Sequence, residues 1–177
     1  MALISLLCSS AFAYAKERYP ARGGQVTFSL RTTMKDIDAV NRKAYAVLDV
    51  TSGQVSAIML CRTFAFKKAL LREHFNENYM DSNTWPKAEF KGRMTGPTAS
   101  DAAKPGTYKV TLGGELDVHG VKKMRTLEAT IVMGAVSTMK ATSQFTGGPA
   151  DHGIRISGGV NVAEVIQLSL DMDLKKI

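Results

Sequence analysis

Residues 108–118, Tyr-Lys-Val-Thr-Leu-Gly-Gly-Glu-Leu-Asp-Val, alternate apolar and polar side chains almost without a break. Successive side chains of a strand point to opposite faces, so Tyr108, Val110, Leu112, Leu116 and Val118 share one face, and Lys109, Thr111, Glu115 and Asp117 share the other. A helix cannot segregate such a run, because its period is 3.6 residues rather than 2. The same pattern recurs along the chain, and turn signals separate its copies. Val26, Phe28 and Leu30 alternate with Thr27 and Ser29; residues 36–40 read as a short connecting piece; residues 44–50, with Leu48, read as a strand that turns at Thr51-Ser52-Gly53. Ile58, Leu60, Phe64 and Phe66 continue the theme, interrupted by Arg62. Ala88, Phe90 and Met94 then alternate with Glu89, Lys91 and Arg93, and residues 97–106 read as a loop. Residues 127–133 and 135–145, ending in Phe145, predict a hairpin around Gly134, and residues 163–174, with Leu168 and Leu170, supply the last strand. Gly147-Gly148-Pro149 and Gly158-Gly159 bracket an irregular segment. Gly113-Gly114, inside the cleanest strand, predicts a bulge or a sharp bend.

One segment breaks the period. Between residues 67 and 80, Phe66, Leu70 and His74 form one helical row and Leu71, Phe75 and Tyr79 the next, with Lys67, Lys68, Arg72, Glu73, Asn76 and Glu77 opposite. This predicts one amphipathic helix lying across a β domain, with His74 and Phe75 on adjoining inward rows. Asp81-Ser82-Asn83 ends it, and Trp85-Pro86 restarts extended chain. The expected fold is therefore all-β: an antiparallel up-and-down barrel of about eight strands with one lateral α-helix. A closed barrel leaves no free strand edge. A two-sheet sandwich is compatible with the same strand count. A barrel of this size has an interior that is either filled by side chains or able to hold one small ligand, and the pattern leaves both open.

A length of 177 residues fits one domain. Residues 1–15, MALISLLCSSAFAYA, carry no charge and pass from an apolar run to Ala-x-Ala, which reads as a secretory signal peptide and implies a periplasmic or secreted protein. Without that segment Cys61 is the only cysteine, so no internal disulfide is expected. A lone thiol in an oxidising compartment is expected to be buried in a strand as a small hydrophobe. The net charge of +7 favours anionic surfaces. The basic residues are interspersed with 16 acids, without a basic run or an interleaved aromatic platform, so nucleic acid is not the expected partner. An anionic membrane surface fits better.

Chemistry-bearing motifs are sparse. No Gly-x-Ser-x-Gly elbow, phosphate loop or dinucleotide fingerprint occurs. His74, His119 and His152 fall on a helix, at a strand end and in a loop, without the close ligand pairs that zinc sites show; a site from two of them with Glu73 or Asp151 is the minority reading. His119 before Gly120 reads as a turn residue. No catalytic residue, metal or cofactor is expected.

Three segments in order, HFNENYM at residues 74–80, PKAEFKG at 86–92 and HGV at 119–121, resemble the YceI-like family of lipocalin-like, polyisoprenoid-binding periplasmic proteins. Weaker similarity runs from about residue 24 to 177, the expected domain. Leu30-Arg31-Thr32-Thr33 and Gly158-Gly159-Val160-Asn161 depart from that family's pattern. The resemblance implies a non-enzymatic carrier or sequestering protein for a long apolar chain, of polyisoprenoid or isoprenoid quinone type, held in the barrel. The inward rows nominate its lining: Phe28, Leu48, Ile58, Leu60, Phe64, Phe66 and Phe90 from the first half of the chain. The second half adds Tyr108, Leu112, Leu116, Phe145, Leu168 and Leu170. Any of these serves equally as plain core. A ligand-free structural or stress-response barrel and, less favoured, a metal-assisted enzyme using His74 and His119 remain as alternatives, and contact with a membrane surface and a homodimer stay open.

Overall fold

The computed structural model describes residues 17–31, 36–96, 101, 104–134, 137–155 and 165–177. Residues 1–15, expected as a signal peptide, Thr32-Thr33 and Gly158-Gly159-Val160-Asn161 lie outside them. The alternating segments become β1 (Arg18–Arg31), β2 (Asp36–Asp49), β3 (Gln54–Leu60), β4 (Ala65–Phe66), β5 (Lys87–Thr95), β6 (Gly106–Val118), β7 (Val121–Met133), β8 (Thr138–Gly147) and β9 (Ile166–Lys175). Each strand pairs antiparallel with its neighbours in the order β1-β9-β8-β7-β6-β5-β3-β2, and β1 pairs with β2 again, so eight strands close a barrel. The two-residue β4 adds to the side of β2, pairing Ala39 with Phe66 and Val40 with Ala65. The barrel expectation holds and the sandwich does not.

Closure requires every strand to keep one row facing inward, and the long strands β1 and β2 do so only by shifting phase midway. In β1, Tyr19 and Ala21 are buried at odd positions, whereas Val26 and Leu30 are buried at even ones. In β2, Ala39 and Asn41 are buried at odd positions, whereas Ala44, Ala46 and Leu48 are buried at even ones. Two register shifts accomplish the change: Arg22 pairs with Tyr45 and Gly24 with Ala44, leaving Gly23 over; Val26 then pairs with Asn41, leaving an extra residue in β2. Paired bulges thus flip both strands together. Asn41, 0% exposed, fastens the second: its Oδ1 accepts from the Lys43 N–H (2.9 Å) and its Nδ2 donates to the Leu60 carbonyl (3.0 Å). Residues 36–40, expected as a connector, are part of β2 for this reason; the phase shift hides the continuity of the strand.

The expected run Ile58, Leu60, Phe64, Phe66 is broken by a 3-10 turn at Cys61–Thr63. Parity therefore does not carry across Arg62. Ala57 pairs with the inward Phe90 and Ile58 with Glu89, so the inward row of β3 is Val55, Ala57 and Met59. Leu60 is 51% exposed, a correction to its expected inward position.

The helical segment is α1 (Ala69–His74) followed by a π-helical turn, Phe75–Tyr79, in which the Met80 N–H donates to the Phe75 carbonyl (2.8 Å). Leu71, Phe75 and Tyr79 are half-buried, while Leu70 and His74 are exposed. The helix presents a single apolar row, so His74 is not inward as expected. Asn76 of the HFNENYM segment terminates the helix: its Nδ2 donates to the Arg72 carbonyl (2.7 Å) and its Oδ1 accepts from the Ser82 hydroxyl (2.8 Å).

Gly113-Gly114 makes no bulge, since β6 keeps continuous register with both neighbours. Gly114 pairs with Gly92 on the inward row, and a Cβ on Gly114 would lie 2.4 Å from the Gly92 Cα and the Lys91 carbonyl oxygen. The two backbones approach too closely there for any side chain.

Replacing Asn41 by Ala removes both hydrogen bonds and leaves the Leu60 carbonyl and the Lys43 N–H unsatisfied; the expected loss is about 2–3 kcal/mol in urea denaturation. Cys61, beside that carbonyl, is 0% exposed, and burial pushes its thiol up to about 11 from the usual 9.0. The folded state holds this proton more tightly than the unfolded one. Its contribution is therefore full below pH 9 and declines as pH rises from 9 toward 11. Alkylation of native protein at pH 8 is expected to proceed only through unfolding, and Cys61→Ala is expected to show a shallower alkaline loss of stability than the parent.

Candidate functional site: an apolar cavity and its mouth

Up-and-down threading brings α1, the Val118–Val121 turn and the Pro149–His152 turn to one end of the barrel, and the Asp49–Gln54 turn, Met133 at the end of β7 and Thr138 at the start of β8 to the other. The inner rows differ at the two ends. At the lower end Met94, Val110, Ile131, Met133, Met139, Met172 and Leu174 are at most 8% exposed, so it is packed shut. Toward the upper end Leu112, Leu116, Phe145, Leu168 and Leu170 face inward yet are only half-buried.

Between these levels lies a cavity of about 150 Å³. Alanines make its room: Ala44 and Ala46 of β2, Ala57 of β3, Ala88 of β5, Ala129 of β7 and Ala141 of β8. Of the residues nominated from sequence, Leu48, Phe90, Leu112, Leu116, Phe145, Leu168 and Leu170 line it, and Ile58 borders it. The inward Val26, Met94 and Met172 also line it, as do Val55 and Met59, which are found only once the end of β3 fixes the parity of that strand.

Phe28, Phe64 and Phe66 do not line the cavity. They pack with Phe75 from the helical segment into one aromatic cluster, with Phe28 6.5 Å from both Phe64 and Phe66, and Phe75 5.4 Å from Phe64 and 5.1 Å from Phe66. Tilted and edge-on rings at these separations attract beyond their buried area. This cluster plugs the β1–β2 side of the upper end. Tyr108 is set apart too: its hydroxyl meets the carbonyls of Asp101 (3.5 Å) and Lys104 (3.3 Å) near the lower end.

The wall is not uniformly paired. Residues 129–133 of β7 pair with 139–143 of β8, but above them β7 pairs only with β6, and β8 only with β9. The Ser143 hydroxyl donates to the Glu128 carbonyl (2.6 Å) where the strands part. Higher up, the Pro149–His152 turn spans the parting: Arg125 ion-pairs with Asp151, and the His152 ring Nδ1 lies 3.0 Å from the Val121 carbonyl oxygen. The Arg125 hydrogen bond holds the Asp151 carboxyl below its usual range.

The upper end is trimmed by the HGV segment. His119 (φ 54°) and Gly120 (φ 73°) form the two-residue turn between β6 and β7, with positive φ at both positions, as its tight twist demands. The Trp85 ring lies on Gly120, where a Cβ would sit 2.5 Å from ring carbons. His74 is exposed on α1, His119 faces Trp85 with ring centroids 6.0 Å apart, and His152 is buried under β7. Among the described residues no group of three or more His, Cys, Asp or Glu side chains is placed to hold a metal. None of their helices is long and apolar enough to cross a membrane.

Comparison with known proteins places this architecture. No curated protein matches in sequence. The fold is similar to a polyisoprenoid binding domain from Saccharophagus degradans implicated in plant cell wall breakdown, with a TM-score of 0.75 at 12% identity over 92% of this chain and 99% of that one. It is also similar to BcnA of Burkholderia cenocepacia (TM-score 0.71, 14% identity, 85% and 95% coverage). A YceI protein of Campylobacter jejuni follows (TM-score 0.60, 14% identity, 77% and 82% coverage). Residues 17–174 match the YceI-like domain, and the chain belongs to that family.

Proposed function

We propose that this protein is an exported carrier or sequestering protein that holds a long apolar chain, of polyisoprenoid or isoprenoid quinone type, in its barrel. The observation that carries the reading is the inner surface itself: it is apolar along its length, shut below and half-exposed above. Burial of apolar surface at roughly 25 cal/mol per Å² would supply the affinity without directional contacts. The Saccharophagus domain, described as polyisoprenoid binding, has the same fold and supports this choice of chain.

Leu112, Leu116, Phe145, Leu168 and Leu170 are the proposed upper contacts, and Leu48 and Phe90 the deeper ones. The free volume of about 150 Å³ lies below the ~300–1,000 Å³ of pockets for drug-sized ligands, so a long chain must displace side chains to enter. Met59, Met94 and Met172 in the lining suit that task, because an unbranched thioether repacks readily. No catalytic step is assigned. The Phe28, Phe64, Phe66 and Phe75 cluster is assigned to closing the barrel rather than to holding ligand.

Mass spectrometry of the native protein from its own host, with lipid extraction, is expected to reveal a co-purifying prenyl lipid. Absence of such a lipid together with no uptake of prenyl lipids in vitro would favour the filled structural barrel instead. Ala57→Leu places three further carbons in the cavity; it is expected to weaken prenyl-chain binding roughly tenfold or more while leaving thermal stability within about 1.5 kcal/mol of the parent.

A further inference from the structure

The outer face of β2 and β3 carries an apolar cluster that stands in solvent. With the inner rows fixed, Tyr45 and Val47 of β2 share that face with Ile58 and Leu60 of β3. Tyr45 pairs directly with Ile58, and Val47 and Leu60 lie two residues along their strands on either side of that pair. The four side chains are therefore neighbours in one patch. Packing Tyr45 on Ile58 serves the sheet, yet Tyr45 remains 38% exposed and Leu60 51% exposed.

Cations frame the cluster. Arg22 of β1 pairs with Tyr45, Lys87 of β5 with Leu60, and Lys91 with Ser56. Lys43 precedes Tyr45 on the outer row of β2, and Arg93 follows Lys91 on that of β5. Lys87 and Lys91 share Glu89, at 2.7 and 3.4 Å, whereas Arg22, Lys43 and Arg93 make no ion pair among the described residues. The other acid of this wall, Asp49, is spent on its turn, where it accepts from the Thr51 and Ser52 N–H groups (3.0 Å each).

The excess is local. On the outer rows of β6–β9 four lysines, Lys109, Lys122, Lys140 and Lys175, face five acids, Glu115, Asp117, Glu128, Asp171 and Asp173. Two of those lysines are tied down, Lys122 to Glu115 (2.9 Å) and Lys140 to Asp171 (2.7 Å). Above the bulges Arg31 is matched by Asp36 and Asp38. Part of the net charge of +7 is thus gathered around exposed apolar side chains.

A layer of anionic lipid head groups over acyl chains offers what this face lacks: counter-charges for the cations and apolar depth for Leu60. A nucleic acid would satisfy the cations but gains nothing from Ile58 and Leu60. A second copy laid face to face would set like charges against each other. We propose that the outer face of β2, β3 and β5 docks on an anionic lipid surface, with Tyr45 and Leu60 entering the head-group layer and Arg22, Lys43 and Arg93 meeting its charges. The docking face is on the outside of the barrel and stands whether or not the interior holds a chain.

The test is sedimentation of the full chain with vesicles of phosphatidylcholine, alone or mixed with phosphatidylglycerol, at low and high salt. The parent is expected to bind the mixed vesicles about tenfold more tightly than the neutral ones, with the preference shrinking at high salt. Arg22→Gln combined with Arg93→Gln is expected to weaken binding to mixed vesicles about tenfold or more, each cation near such a surface being worth about fivefold. Lys109→Gln combined with Lys175→Gln removes the same net charge from the far wall and is expected to leave binding unchanged. Leu60→Gln is expected to weaken binding about fivefold at either salt, as the share due to apolar burial. All five substituted side chains are exposed, so the variants are expected to unfold at the parent's temperature. No preference for mixed vesicles, or equal losses in the two double variants, would overturn the docking face and leave only a net-charge effect. Parent-like binding by Leu60→Gln would overturn it as well, and duplex DNA displacing the vesicles through Arg22 and Arg93 would assign the face to nucleic acid instead.

Discussion

Everything in this barrel depends on keeping a single inner face around a closed sheet, and that requirement is hardest to meet in β1 and β2, 14 residues each. In these two strands the apolar row changes parity midway, so an unbroken alternation would turn part of each row outward. The paired bulges reset both strands at once, so that Tyr19 and Ala21 below and Val26 and Leu30 above all point to the same interior. A bulge leaves backbone groups without ladder partners, and Asn41 supplies them from within. Its amide joins the bulge at Lys43 to the end of β3 at Leu60, just where the chain leaves the sheet for Cys61 and the helical segment. The position of Phe64, and through it the aromatic cluster around Phe75, follows from that join.

Much of this was legible in the letters. The alternation of β6 gave its inner row correctly, as did that of β5 and β9, because those strands run without phase shifts. His119-Gly120 announced its turn by chemistry alone, since few pairs accept positive φ twice. Where the strand faces failed, parity was carried across positions where the backbone resets it. Ile58 and Leu60 were joined to Phe64 and Phe66 over the Cys61–Thr63 turn, and residues 36–40 were detached from β2 because the bulge reverses their phase. The helical rows could not be ranked, as Leu70 with His74 looked as apolar as Leu71 with Phe75 until the sheet beneath selected one. The upper part of the β7 row, at Arg125 and Lys123, was not followed because the strand was started at Leu127. Extended by two alternations, the same odd row would have reached both.

The wall parts where strand pairing runs out, and the partings are treated differently. Below the paired residues of β1 and β9, Met172 packs its sulfur against Gly24, and the chain end returns to β1 through Ile177 N–H to the Arg18 carbonyl (3.2 Å). Above the paired residues of β2 and β3, Asn41 and β4 fill the space. These two are sealed by packing or by buried hydrogen bonds. Between β7 and β8 the links beyond the paired residues are the Ser143–Glu128 hydrogen bond, the hydrogen bond of the buried His152 to Val121, and an ion pair at partly exposed side chains, which contributes little. This parting lies next to the half-exposed Phe145.

The cavity behind that seam argues against a barrel shaped for stability alone. Apolar space of about 150 Å³ is left without packing partners, and its lining forgoes the dispersion contacts a filled core would make. The same chain fills its lower end with methionines and leucines to 3–8% exposure, so it does not lack the means to fill the middle. Six alanines converge there instead, from β2, β3, β5, β7 and β8, where any branched side chain would close the gap. A void maintained from five strands is hard to account for as imperfect packing. The proposed apolar chain would account for it, by restoring in the bound state the contacts the alanines forgo.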